Sequence, residues 1–126
     1  MMAGLFGRRV LVVEDEPLIA MLLEDMISDF GAEVAAVADS VPAALEHVAD
    51  GTPLDLAVLD MSLRGRAVDP VADALADRGV PFIFASGYGV HGATGRHTSA
   101  PVLSKPFQRD ALEQALLTCL KVDGAT

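Results

Sequence analysis

The fold class predicted by this sequence is an open α/β sheet with helices on both faces, and three observations carry it. Short apolar runs alternate with segments of helical period along nearly the whole chain, the pattern of parallel strands joined by crossover helices. The runs RRVLVV (Arg8–Val13) and LDLAVL (Leu54–Leu59) are continuously apolar at their centres, as strands covered on both faces are. Ionisable groups follow three of the runs: Glu14 and Asp15 after the first, Asp60 after the second, and Lys105 after PVLS (Pro101–Ser104). Parallel strands share a carboxyl edge, so all four groups would meet in one crevice.

Each element has a local reason. Strand one is about Arg9–Val13. Helix one starts near Pro17, because proline's fixed φ and missing N–H suit a first helical turn. Ile19, Leu22, Leu23, Met26, Ile27 and Phe30 then recur at helical spacing until Gly31. Strand two is about Glu33–Val37. Ser40 is a good N-cap for helix two, whose inward face is Val41, Ala44, Leu45 and Val48, with Gly51 as its stop. Strand three is Leu54–Leu59. Helix three is expected over Ala67–Arg78, with Val68, Val71, Ala72 and Leu75 on one side and Gly79 at its end. Strand four is Pro81–Ala85 and strand five Pro101–Leu103. Helix five, about Gln108–Val122, has Leu112, Ala115, Leu116 and Cys119 in register.

The fourth helix is the weak element. Between Gly87 and Pro101 stand Gly89, Gly92 and Gly95, with His91 and His97 and little apolar periodicity. Each glycine costs about 1 kcal/mol relative to alanine in a helix, so a short turn or a disordered loop is expected there. Right-handed crossovers and a reversal of strand order put the crevice at the carboxyl ends of the middle strands. The order 2-1-3-4-5 is borrowed from flavodoxin-like sheets.

A length of 126 residues suits one domain, here with a core of about 8–122, and no output domain is expected after it. Hydrophobic residues make up 52% and charged residues 21%, which argues for a packed core over disorder. A net charge of −9 argues against nucleic acid and anionic membranes as partners, because no basic cluster exists to meet phosphates. Cys119 is the sole cysteine, so neither a disulfide framework nor a zinc spacing is present. His47, His91 and His97 lack ligand spacing, and Met21 and Met26 belong to a helical face and its margin. Leu5 and Phe6 are candidates to cover a sheet edge. No apolar run is long enough for a signal peptide or a membrane span, so a cytoplasmic location is the default expectation.

The strand ends carry the chemistry. Acids at Glu14, Asp15 and Glu16 would favour a helix dipole by about 0.3–1 kcal/mol each, which accounts for them singly. Capping does not account for Asp60 converging from another strand. Carboxylates a few ångströms apart repel by roughly 4 kcal/mol per pair at an effective dielectric of about 20, so the cluster wants a divalent cation and the lysine an anion. Asp60 is then a nucleophile that yields an acyl phosphate. Mg2+, with Mn2+ as its substitute, is the hard cation such oxygens select. Strand four runs out through FIFASGYG, where the Ser86 hydroxyl can donate to a phosphoryl oxygen and Gly87 lets the backbone come close.

The segments VLVVEDEP, LAVLDMSLRG, FIFASGYG and LSKPF, in this order, resemble the response-regulator receiver domain of bacterial two-component signalling over nearly the whole chain. The resemblance implies that Asp60 accepts phosphate from a kinase phosphohistidine. It implies Mg2+ on Asp15, Asp60, Glu14 and the Ser62 carbonyl, phosphoryl contacts from Ser86, Gly87 and Lys105, and a cis Lys105–Pro106 bond. Ser62 and Tyr88 occupy the positions that tune phosphate lifetime. Two positions depart from the family pattern. Arg64 stands where a proline is usual, and the aromatic switch position is Val102, which has no ring to turn. With PFIFASGYG these features resemble the stand-alone alphaproteobacterial receivers with a Phe-Ala-Thr-Gly-x-Tyr-like motif, associated with kinases of the HWE type.

The expected partner is therefore a sensor histidine kinase or a histidine phosphotransfer protein, and the protein a monomer or weak dimer serving as a switch or phosphate relay. In place of an aromatic flip, the Gly87–Ala100 segment is expected to order on phosphorylation. A haloacid-dehalogenase-type hydrolase would need a second acid two residues after the nucleophile, where Ser62 stands. A receiver that only binds partners would not need the complete set of acids, hydroxyl and lysine.

Overall fold

The computed structural model describes residues 4–86, 100–105 and 107–124, with the side chains of Ser62 and of residues 121–124 left aside. Five strands form one parallel sheet: β1 (Arg9–Val13), β2 (Glu33–Ala38), β3 (Leu56–Asp60), β6 (Phe82–Ser86) and β7 (Val102–Ser104), in the order β2-β1-β3-β6-β7. That is the expected 2-1-3-4-5 arrangement, with a small hairpin, β4 (Ser62–Leu63) and β5 (Arg66–Ala67), added outside the sheet. The helices among the described residues are α1 (Pro17–Asp29), α2 (Val41–Ala49), α3 (Asp69–Arg78) and α4 (Arg109–Gly124). The weak fourth helix and the Gly87–Ala100 ordering fall on residues 87–99, outside the described residues, as does the Lys105–Pro106 bond.

Strand periodicity divides the core in two. Leu11, Val13, Ala57, Leu59, Phe82 and Phe84 face one side and pack with Val41, Ala44 and Val48 of α2 and Val71, Ala72 and Leu75 of α3. Val10, Val12, Leu56, Val58, Ile83 and Ala85 face the other and pack with Leu23, Met26 and Ile27 of α1 and Leu112, Leu116 and Cys119 of α4. Each large side chain so buried contributes about 1.5–3 kcal/mol. β3 and β6 are buried along their full length, which explains why their sequences do not alternate. Leu5 also belongs to the second core, at 1% exposure, whereas Phe6 is exposed. Gly31 ends α1 at a φ of 87°, and a Cβ there would come within 2.8 Å of the Phe6 ring.

The caps follow expectation at α2, where Ser40 Oγ accepts from the Ala43 N–H at 3.2 Å, and at α3, which ends on Gly79 with a φ of 75°. Two details differ. Leu22 is 40% exposed, joining Leu18 and Met21 on the outer face of α1, because Leu23, Met26 and Ile27 are the residues of that helix that pack into the core. Helix α3 begins at Asp69, not Ala67, because Ala67 is taken by the hairpin. Arg64 and Gly65 form its tip with φ of 51° and 80°, the paired positive values of a type I′ turn. Leu63 and Val68 anchor it, each 1% exposed. No helix among the described residues is long and apolar enough to cross a membrane.

Candidate functional site

The carboxyl ends of β1 and β3 adjoin because these strands pair directly, Val13 opposite Leu59. Glu14, Asp15 and Asp60 therefore converge, with one carboxylate oxygen from each lying within 4.8 Å of the others. Glu14 is 2% exposed and Asp60 7%. Lys105 follows β7 across β6, and its amide donates to the Ser86 carbonyl at 2.9 Å. Its Nζ lies 2.9 Å from Glu14 Oε1 and 3.2 Å from Asp60 Oδ2, so the four groups expected to meet do meet.

The electrostatics are those of a crowded anionic pocket with one cation in it. Burial pushes the Glu14 carboxyl above the usual range, Lys105 pulls it back through a hydrogen bond, and Asp60 pushes it up again. Burial works to lower the Lys105 ammonium, but Glu14 and Asp60 outweigh it and raise the pKa. Glu14 Oε2 accepts from the Glu16 N–H at 3.1 Å. Its Oε1 is buried and has the Lys105 ammonium, at 2.9 Å, as its partner. Three converging carboxylates, those of Glu14 and Asp60 buried, are a donor set for a hard cation, and Mg2+ fits it. A groove of about 360 Å³ beside it is lined among others by Glu14, Asp15, Asp39 and Arg64.

Ser86 is 7% exposed at the end of β6, one residue beyond the Ala85 that pairs with Asp60. Ser62 begins the hairpin two residues after Asp60. Val102 pairs with Phe84 and packs against the core on the α2–α3 side. Gly87 and Tyr88 lie outside the described residues. One contact had no expectation behind it: the Arg64 N–H donates to Asp15 Oδ2 at 2.8 Å. The turn that delivers it has positive φ at Arg64 and Gly65, and the letters Arg-Gly signal such a turn weakly.

The family model "Response regulator receiver domain" matches residues 10–117. The chain belongs to that family. Receiver domains are phosphoacceptors rather than enzymes acting on a separate substrate, and membership implies a histidine kinase as partner. The solution structure of SdrG from Sphingomonas melonis Fr1 is similar at 43% identity and a TM-score of 0.81, covering 95% of this receiver and 99% of that chain. The BeF3-activated conformation of SdrG, from Pseudomonas melonis Fr1, matches at 43% identity and a TM-score of 0.77, over 94% of this receiver and 99% of that chain. The phyllosphere-induced regulator PhyR of Methylorubrum extorquens is 34% identical over 85% of this receiver, which spans only 41% of that protein's length.

Proposed function

We propose that Asp60 accepts a phosphoryl group from the phosphohistidine of a kinase, of the HWE type, or of a histidine phosphotransfer protein, and that the receiver acts as a switch or relay. An Asp60 oxygen attacks phosphorus, the phosphorus–nitrogen bond breaks, and the imidazole leaves with the electron pair. What carries the reading is the placement of Asp60: nearly buried, 3.2 Å from the Lys105 ammonium, and clustered with Glu14 and Asp15.

Glu14, Asp15, Asp60 and the Ser62 carbonyl would hold Mg2+, which when bound neutralises charge on the acceptor and the transferring group. Lys105 pairs with a phosphoryl oxygen as a point charge. Ser86 donates a second hydrogen bond, and Gly87 admits the backbone. Ser62 and Tyr88, two residues beyond the acceptor and two beyond the hydroxyl, would set how long the acyl phosphate lasts. The similarity to SdrG, whose BeF3-activated conformation is known, supports this assignment.

The test is incubation with Mg2+ and acetyl phosphate followed by intact-mass measurement. The wild type gains one phosphoryl group and Asp60→Asn gains none. An Asp60→Asn protein labelled to the same extent as the wild type overturns the reading.

A further inference from the structure

We propose that the backbone N–H of Arg64 is a positioning group for the cation site, holding Asp15 in the orientation that a metal requires. The inference rests on the reading that the Glu14, Asp15 and Asp60 cluster binds Mg2+. Asp15 is only half-buried, and a short carboxylate on an open turn rotates unless something fixes it. The fixing contact is the 2.8 Å bond from the Arg64 N–H to Oδ2, a charge-assisted bond of the stronger kind. Once one oxygen is fixed, the other has few directions left to turn.

The donor is main chain, so its placement depends on the hairpin. Arg64 has a φ of 51°, the only positive value at a non-glycine residue among those described. The guanidinium then ties the hairpin tip to the loop after β2, donating to Asp39 Oδ2 at 2.9 Å and to the Asp39 carbonyl at 3.1 Å. That ion pair is exposed and worth little in itself. The buried Leu63 fixes the other side of the tip. Main-chain supply has a consequence: most side chains at position 64 leave the donor in place, and proline alone both removes it and forbids the φ.

The test measures Mg2+ affinity calorimetrically, with metal-free melting recorded in parallel to report folding. Arg64→Gly keeps the N–H and the positive φ, and its affinity stays within about twofold of the wild type, whereas Arg64→Pro loses about tenfold or more. Gly65→Val strains the same turn but keeps the donor, and it loses melting temperature with a smaller loss of affinity. A second readout needs no proline: by NMR, exchange of the Arg64 amide proton in metal-free protein speeds up about tenfold in Asp15→Ala, because the acceptor has gone.

Equal affinity in Arg64→Pro and wild type overturns the proposal while leaving the Mg2+ site standing. Unchanged Arg64 exchange in Asp15→Ala also overturns it, and decides the matter if Arg64→Pro does not fold. A wild type that takes up no Mg2+ overturns both readings.

Discussion

Two connections leave the same edge of the sheet, and they serve the site in different ways. The one after β1 is short, Glu14 to Glu16, and passes straight into α1. Its three neighbouring acids have three environments: Glu14 buried, Asp15 half-buried and Glu16 exposed. The connection after β3 is longer, residues 61–68, and folds back as a hairpin. The first supplies charge, and the second supplies a main-chain donor aimed at one of those charges. Charge is written in the identity of a residue, whereas direction is written in the backbone around it.

The largest break in this comparison comes from removing the cation that holds the charges together. Lys105→Met removes the ammonium that lies between Glu14 and Asp60, and breaking a buried pair this way costs roughly 3–5 kcal/mol in urea unfolding. The loss depends on pH. Glu14 already has a raised folded pKa, and losing the Lys105 hydrogen bond raises it further. A raised carboxyl contributes stability that is complete below the unfolded value, 4.5, and is lost as pH rises through the folded value. The deficit of the variant against wild type therefore shrinks on acidification from neutral pH. The Lys105 contribution, present below its unfolded value of 10.5 and lost above its raised folded value, disappears from the alkaline limb of the variant.

Next in size is the packing of the second connection. Leu63→Ala removes a side chain that is 1% exposed and costs about 2–5 kcal/mol, read as a lower urea midpoint. In the first connection, Glu16→Ala changes stability by no more than about 0.5 kcal/mol, since Glu16 is exposed and makes no side-chain cap to α1. A large Glu16 effect would mean that the first connection is held by more than its charges.

The same contrast explains what the sequence disclosed. The central strands were legible because strands covered on both faces spell uninterrupted Val and Leu, and α2 because Ser40 is an N-cap by chemistry. Glu14, Asp15, Asp60 and Lys105 were legible as a site because each follows an apolar run and parallel strands align those ends. The hairpin was not. Two-residue turns announce themselves with Asn-Gly or Asp-Gly, and Arg64 is held at positive φ by surroundings that only the folded chain provides. Ala67 therefore read as the start of a helix. The exposed Leu18 and Met21 and the partly exposed Leu22 show the other limit: helical spacing locates an apolar face but not how much of it a neighbour covers.

β1 and β3 carry the acids, and from Val10 to Val13 and Leu56 to Leu59 these strands are entirely shielded from solvent. A pocket whose floor is the innermost part of a molecule has no private melting event, so it comes apart only when everything does. Whatever occupies it lends its binding energy to the entire chain, in proportion to the logarithm of its concentration over its dissociation constant. Bulk thermal denaturation thus becomes a gauge of occupancy, and Lys105, arriving from the partly exposed strand β7, shares in that gauge through its two ion pairs.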